Sequence, residues 1–485
     1  MPPYLLPISV IALCAGALIL ALVVFLRAKR LDMPPCSPPQ VPEYDPALAE
    51  RAGESLSGAI QFTTVSYSAQ LEHGGYREFV RLREYLKARY PRVHNAMTRE
   101  QVGVASLLFT WPSPKPQGDP VLFCAHMDVV PAEGGGWRHP PFGGEIADGH
   151  VWGRGTIDCK GVLISLLEAA EKLLAEGFEP TRDIYLAFGH DEEVGGHEGA
   201  GEIAGLFIER NLHFSMVLDE GGALSRTAVP IGRPAAHVAV TEKGQMNLRF
   251  TAYGEGGHAA EPPAHTPLGR LSEVLCRLEF RPVKPRLTPV VREMLMRLAP
   301  ELPWRWKIYL GNQWLFKRAI LRELCSRSGS NALVRTTIAP TMAQGSQAPN
   351  VLGDKAEIIL NARILHDEDE AALTQFLHDI TADLDVEVEV LRSSEPSHVS
   401  SFQTESFEQL SRAIIKVYGE TPILPVMTPS GTDARHYERF SDSVYRFMPF
   451  ILTPEEQHRM HGVDERIPLG TLACAVEVYA ELMRG

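Results

Sequence analysis

From about residue 45 to 240 the chain alternates short apolar runs with amphipathic stretches. Val121–Cys124, Ile184–Phe188 and Met216–Leu218 are continuous apolar segments of strand length, whereas Gly161–Glu176 places Leu163, Leu166, Leu167, Ala170, Leu173 and Leu174 at helical spacing. Strands of this kind separated by helices predict an α/β fold with a mostly parallel central sheet flanked by helices. In such sheets ligands gather beyond the carboxyl ends of the strands. His126, Glu192, Glu193 and Asp219 each fall just past an apolar run.

Beyond residue 240 the pattern changes. Met246–Tyr253 and Lys355–Ile364 read as strands on either side of helical patterns, among them an aromatic segment with Trp304, Trp306, Tyr309, Trp314, Leu315 and Phe316. Residues 241–396 are therefore expected to form an inserted α+β domain of the lid or dimerisation type. Residues 45–240 and 397–485 are expected to form one catalytic domain, since only a returning chain brings His461 to the earlier motifs. Two domains are also what a length of 485 residues suggests.

The N-terminus carries a different signal. Residues 4–26 contain no charge and are rich in Ile, Leu, Val and Ala, long enough as a helix to cross a hydrocarbon core of roughly 30 Å. A cleaved signal peptide is the rival reading, but it usually has a basic leading segment and a shorter apolar core. A single-pass anchor is expected, with Pro7 tolerated in its first turn. Residues 27–44, with Pro34, Pro35, Pro38, Pro39 and Pro42, read as a stiff extended linker. Arg27, Lys29 and Arg30 follow the apolar run and no basic residue precedes it, which by the positive-inside rule keeps the main domain cytoplasmic. No Asn-x-Ser/Thr sequon marks lumenal exposure.

Composition narrows the partners. With 45% hydrophobic and 22% charged residues the chain is globular, and a formal charge of -13 argues against nucleic acid, whose phosphates call for excess Lys and Arg. Seven scattered cysteines form neither a disulfide framework nor a thiolate zinc site. Bound cations would neutralise part of the acidity.

Five candidate metal ligands and a general base occur in order. His126 and Asp128 are two apart, so on an extended strand they share a face; His126 would ligate while Asp128 fixes its ring. Asp158 follows Gly153 and Gly155 and precedes a helix, where it reads either as an N-cap or as a carboxylate bridging two cations. Glu192 and Glu193 are adjacent carboxylates whose repulsion a cation would relieve; one can ligate while the other moves protons. Asp219 and His461 complete the set. In the insert, His258 sits in a glycine-flexible turn and could donate to a scissile carbonyl, and Arg363 could grip a carboxylate, with a surface ion pair as the plain alternative. Asn350 and the turn Gly431-Thr432-Asp433 are further candidate donors.

Taken together, the motif series resembles the zinc-dependent aminoacylase/carboxypeptidase family, in register from about residue 45 to the C-terminus. Within it the chain looks closest to carboxypeptidase S and the N-fatty-acyl-amino-acid synthase/hydrolase branch, through Leu310–Phe316, Asn331–Thr337 and the ending His461-Gly462-Val463-Asp464-Glu465. The resemblance implies two Zn²⁺ per subunit, with Co²⁺ or Mn²⁺ as substitutes. One would take His126, Asp158 and Asp219, the other Asp158, Glu193 and His461, with Glu192 as acid and base. It implies hydrolysis of the amide bond of N-acyl amino acids or short peptides to release a C-terminal amino acid, reversible with fatty acids. His258 is implied to reach an active site, in some relatives across a homodimer interface. Cys159 departs from the Met or Asp that many relatives carry there. Relatives of this branch are secreted or lumenal, against the charge rule. A binding module that keeps the fold without catalysis would be expected to lack Glu192 or a ligand, and none is missing.

Overall fold

The computed structural model describes residues 5–32, 42–68, 75–228 and 233–485. The chain divides into two compact units, one of Cys36–Thr241 with Val399–Gly485, the other of Met1–Pro35 with Glu242–His398.

The larger unit is built on an eight-stranded sheet. Its strands are β1 (Thr98–Val102), β2 (Ser106–Trp111), β3 (Val121–His126), β4 (Ile184–Gly189), β5 (Met216–Ala228) and β6 (Arg233–Glu242), joined after the insert by β11 (Ile423–Thr428) and β12 (Val444–Leu452). The spatial order is β1-β2-β4-β3-β5-β12-β6-β11. β3 runs parallel to β4 and β5, and β5 parallel to β12, whereas β1 and β2 turn back antiparallel at one edge. Every residue of β3 and of β4 is buried, as expected of central parallel strands covered on both faces. Among its helices are α2 (Pro46–Ile60) and α3 (Lys160–Ala175), whereas the N-terminal helix α1 (Leu5–Lys29) belongs to the other unit. Asp45 caps α2 by accepting the Ala47 N–H, and Pro46 opens it with the φ a helix needs. α3 packs on α2 and on the C-terminal helix Leu469–Arg484, and Leu163, Leu166, Leu167 and Leu173 are fully buried.

The second unit holds an antiparallel four-stranded sheet of β7 (Gly244–Tyr253), β8 (Thr337–Gln344), β9 (Lys355–Ile364) and β10 (Glu387–Ser394), in the order β8-β9-β7-β10. β9 alternates buried and half-exposed positions, the signature of a sheet with one covered face. That face carries Leu248, Phe250, Ile358 and Leu360 against Leu271 and Val274 of helix α4 (Pro267–Phe280) and Leu373 and Leu377 of helix α7 (Glu370–Thr381). The aromatic segment forms two consecutive helices, α5 (Trp304–Gly311) and α6 (Gln313–Leu324). The apolar N-terminal run is helical to Lys29, beyond the expected end at residue 26, and belongs to this unit. Residues 33–41, half of the expected linker 27–44, lie outside the described residues.

Candidate metal centre

The sheet brings its polar residues together by strand ends. His126 is the last residue of β3 and is buried. Its Nδ1 lies 3.0 Å from the Asp128 backbone oxygen and 3.4 Å from the Asp128 carboxylate, and its Nε2 lies 2.9 Å from Asp158 Oδ1. The other Asp158 oxygen lies 3.0 Å from His461 Nε2, which is also 3.4 Å from Glu193 Oε2. One carboxylate thus stands between two imidazoles that are far apart in sequence.

Asp158 is not the helix cap that its position also allowed. Cys159 is the cap residue of α3 and makes no side-chain cap hydrogen bond, while the Asp158 carboxylate turns toward the histidines. Burial pushes the Asp158 carboxyl up, but hydrogen bonds from His126 and His461 outweigh it and hold the group well below the usual carboxylate range. The same contacts raise His461 to about 10. The Asp158–Cys159 peptide is cis.

Glu192 and Glu193 open a short 3-10 turn just after β4. Asp128, fully buried, accepts the backbone N–H groups of both, at 3.2 and 3.0 Å, and the Ser66 hydroxyl donates to the same carboxylate. Asp128 therefore fixes the histidine ring and the acidic turn together. Burial pushes Glu192 well above the ordinary carboxyl value, the nearby His126 opposes this, and the carboxylates of Asp433, Glu220 and Glu193 add to it. Glu193 is raised by burial against its hydrogen bond to His461.

Three groups of ligand-type atoms lie within 4.8 Å of one another: His126, Asp158 and Glu220; His126, Glu192 and Glu193; Asp158, Glu193 and His461. Asp219, the residue expected beside His126 and Asp158, joins none of these groups among the described residues. It is buried on β5 and its Oδ1 accepts the Glu220 N–H at 2.9 Å. Neighbours on a strand point to opposite faces, so only one of the two can face the histidines at a time. The donor set fits a metal: carboxylate and imidazole atoms crowd one spot where burial raises Glu192 and Glu193, a cost that a divalent cation offsets.

The sequence reading missed the support behind Asp158. Glu465 accepts the N–H groups of Gly155, Ile157 and Asp158 at 3.1, 2.9 and 3.4 Å and pairs with Arg154 at 2.6 Å. The loop carrying Asp158 is thereby pinned to the loop carrying His461, where His461 itself adopts φ 60. No signal in the sequence assigns those backbone partners to Glu465. Asp433, expected with Gly431 and Thr432 as part of a donor turn, stands behind the acidic turn: a Cβ on Gly189 or Gly196 would meet its carboxylate at 2.4 or 2.1 Å, so it lies against the backbone of the Glu192 turn.

Of the expected substrate contacts, Thr432 is buried in the larger unit, its Oγ1 accepting the Ala434 N–H, and Gly431 lies against the Arg435 guanidinium. The others belong to the second unit. His258 is exposed on a two-residue strand paired with Val351, its Nδ1 accepting the Ala260 N–H, and the Asn350 carbonyl accepts the neighbouring Ala259 N–H. Arg363, on β9, donates to Asn361 at 3.3 Å.

Fold and site define a metal-dependent hydrolase of peptide or amide bonds. The sequence pattern of peptidase family M20/M25/M40 matches residues 122–485, and the chain belongs to that family. It is 35% identical to the Bos taurus N-fatty-acyl-amino acid synthase/hydrolase PM20D1, covering 89% of this chain and 87% of that protein. It is 27% identical to Saccharomyces cerevisiae carboxypeptidase S over 90% of this chain and 84% of the other. Among solved structures, an M20 family metallo-carboxypeptidase from Sulfolobus solfataricus superposes with a TM-score of 0.66 at 17% identity, covering 89% of this chain and 98% of that one. Human carnosine dipeptidase 1 gives 0.65 at 14% identity, covering 95% and 98%. These likenesses support the mostly parallel α/β fold and the metal-dependent class.

Proposed function

We propose that the protein is a membrane-anchored two-zinc amidohydrolase that cleaves N-acyl amino acids, with long acyl chains preferred, to a carboxylic acid and a free amino acid. The observation that carries this is the Asp158 carboxylate set between His126 and His461, one oxygen to each. His126, Asp158 and Asp219 would hold one Zn²⁺, and Asp158, Glu193 and His461 the other; Glu220 is the alternative to Asp219. Zn²⁺ held there supplies positive charge that polarises the scissile carbonyl and eases deprotonation of water.

Glu192 takes a proton from the attacking water and delivers it to the leaving nitrogen as the C–N bond breaks. Burial raises its carboxyl, which suits a group that must both accept and return a proton near neutrality. Asp128 holds Glu192 in place through its backbone N–H. Arg363 and Asn350 would hold the substrate carboxylate and His258 would donate to the carbonyl oxygen, in a homodimer of the kind the resemblance implies. The same residues run the reverse condensation when acid and amine are concentrated.

The acyl preference rests on the relatives' printed activity and on the apolar helix α1, in which an 18-residue window within Ser9–Lys29 has a mean hydropathy of 2.9. The test combines metal analysis with turnover of N-oleoyl-phenylalanine, N-acetyl-phenylalanine and a dipeptide. Two zinc ions and a preference for the oleoyl substrate are expected. Glu192→Gln should keep its metal and lose about 10²–10⁴ in kcat; a metal-loaded variant of unchanged activity would refute the assignment of Glu192.

A further inference from the structure

The N-terminal helix does not leave its unit as a free tether. Its end is docked on α5 and α6 by contacts built for that purpose. Ala28 is fully buried, Phe25 packs on Trp304 with ring centroids 5.7 Å apart, and Lys307 pairs with Asp32 at 2.6 Å. Asn312, also fully buried, donates from Nδ2 to the carbonyls of Val24 and Ile308, both at 3.0 Å. Gly311 lets the two backbones meet: a Cβ there would stand 2.9 Å from the Arg27 carbonyl oxygen and 3.0 Å from the Ala28 nitrogen. Removing the helix would strip a buried amide and an apolar seat of their partners, a loss that a disposable leader does not entail.

Beside this joint α6 presents side chains that a purely aqueous surface does not favour. Trp314 is 61% exposed and Leu315 45%, next to Trp304 at 38%. Exposed Lys317, Arg318 and Arg322 lie on the same helix, and exposed Arg27, Lys29 and Arg30 at the end of α1. A basic cluster on a chain of formal charge -13 stands against the overall balance. Tryptophan beside Lys and Arg is the composition of a membrane interface, where the ring sits at headgroup level and the cations meet anionic lipid. That surface is continuous with a helix long and apolar enough to cross a membrane.

We propose that the docked end of α1 and helices α5 and α6 form one rigid membrane seat, with Trp314 and Leu315 entering the headgroup layer of an anionic bilayer and Lys317, Arg318 and Arg322 on its phosphates. This rests on the reading of α1 as a retained anchor, and it adds that the inserted unit, rather than the proline linker alone, sets the attachment.

The experiment uses the full chain in vesicles of phosphatidylcholine and phosphatidylglycerol with brominated acyl chains, which quench nearby tryptophan. Intact mass verifies that α1 is present. Bromolipid quenching is expected in the wild type, falling by about half in Trp314→Phe, with weaker quenching once phosphatidylglycerol is omitted. If the chain floats with vesicles but Trp314→Phe is quenched as strongly as wild type, the seat is wrong while the anchor stands. If the chain does not float, or lacks α1 in its mature form, the anchor reading fails and the seat with it. A dimer in detergent that dissociates in Trp314→Glu would show that a second copy covers this face, and would equally overturn the proposal.

Discussion

Arg154 and Glu465 form an ion pair at 2.6 Å with both side chains buried, joining the loop that carries Asp158 to the loop that carries His461. Burial raises the Glu465 carboxyl, and Arg154 and the Ile157 N–H oppose that rise. Breaking such a pair leaves one charge unpaired, which costs about 3–5 kcal/mol. Glu465→Ala should therefore lose stability on that scale in denaturant melts and weaken metal retention. Arg154→Met should be milder, because Glu465 keeps its three backbone donors and can take up a proton. Equal losses in the two variants would show that the backbone bonds contribute nothing.

Asp128 orients three groups at once: the His126 ring and the N–H groups of Glu192 and Glu193. Residues that orient metal ligands typically carry 10–100-fold of metal affinity or activity. Asp128→Ala is expected to lower both by about that factor. A Ser66→Ala change, which removes only one donor to the same carboxylate, should fall well short of it. Titration with a chelator, alongside kcat, separates lost metal from a misplaced Glu192.

Of the eight strands in the large sheet, β3, β4 and the start of β5 were legible because they are unbroken apolar runs of the kind that central parallel strands buried on both faces require, whereas the other five were not read. His126, Asp158, Glu193 and His461 were legible because they follow such runs or glycine turns in one order, and the structure places them in contact. Glu465 was not, since nothing in a sequence says which distant N–H groups a carboxylate will accept. Nor was the docking of α1: Gly311 and Asn312 entered only through the resemblance of Leu310–Phe316, and only three dimensions show them receiving another helix.

The Asp219–Glu220 step gives a sharp contrast. Glu220 approaches His126 and Asp158, whereas Asp219 accepts the Glu220 N–H and its charge adds to the burial that raises the Asp433 carboxyl. If Asp219 is the ligand, Asp219→Asn should lower the metal bound per chain while Glu220→Gln leaves it unchanged. The reverse pattern would assign the place to Glu220. Metal content by elemental analysis of the two variants decides, independently of activity.

Lys243 offers a pH signature away from the metal cluster. Its Nζ donates to the Arg335 carbonyl at 2.8 Å, and burial, helped by the Arg363 cation and opposed by Glu368, lowers it from 10.5 to about 8. The folded chain thus gives up this proton before the unfolded chain does. Between about pH 8 and 10.5 the unfolded state binds more protons, so stability rises with pH across that window. Below it both states are protonated and the penalty is constant. The whole span amounts to roughly 3 kcal/mol at most. Lys243→Met removes the titrating group, so the wild-type minus variant difference in unfolding free energy should climb from pH 8 to 10.5 and then level. A difference that stays flat across the window would show that the ammonium is not strained where it lies.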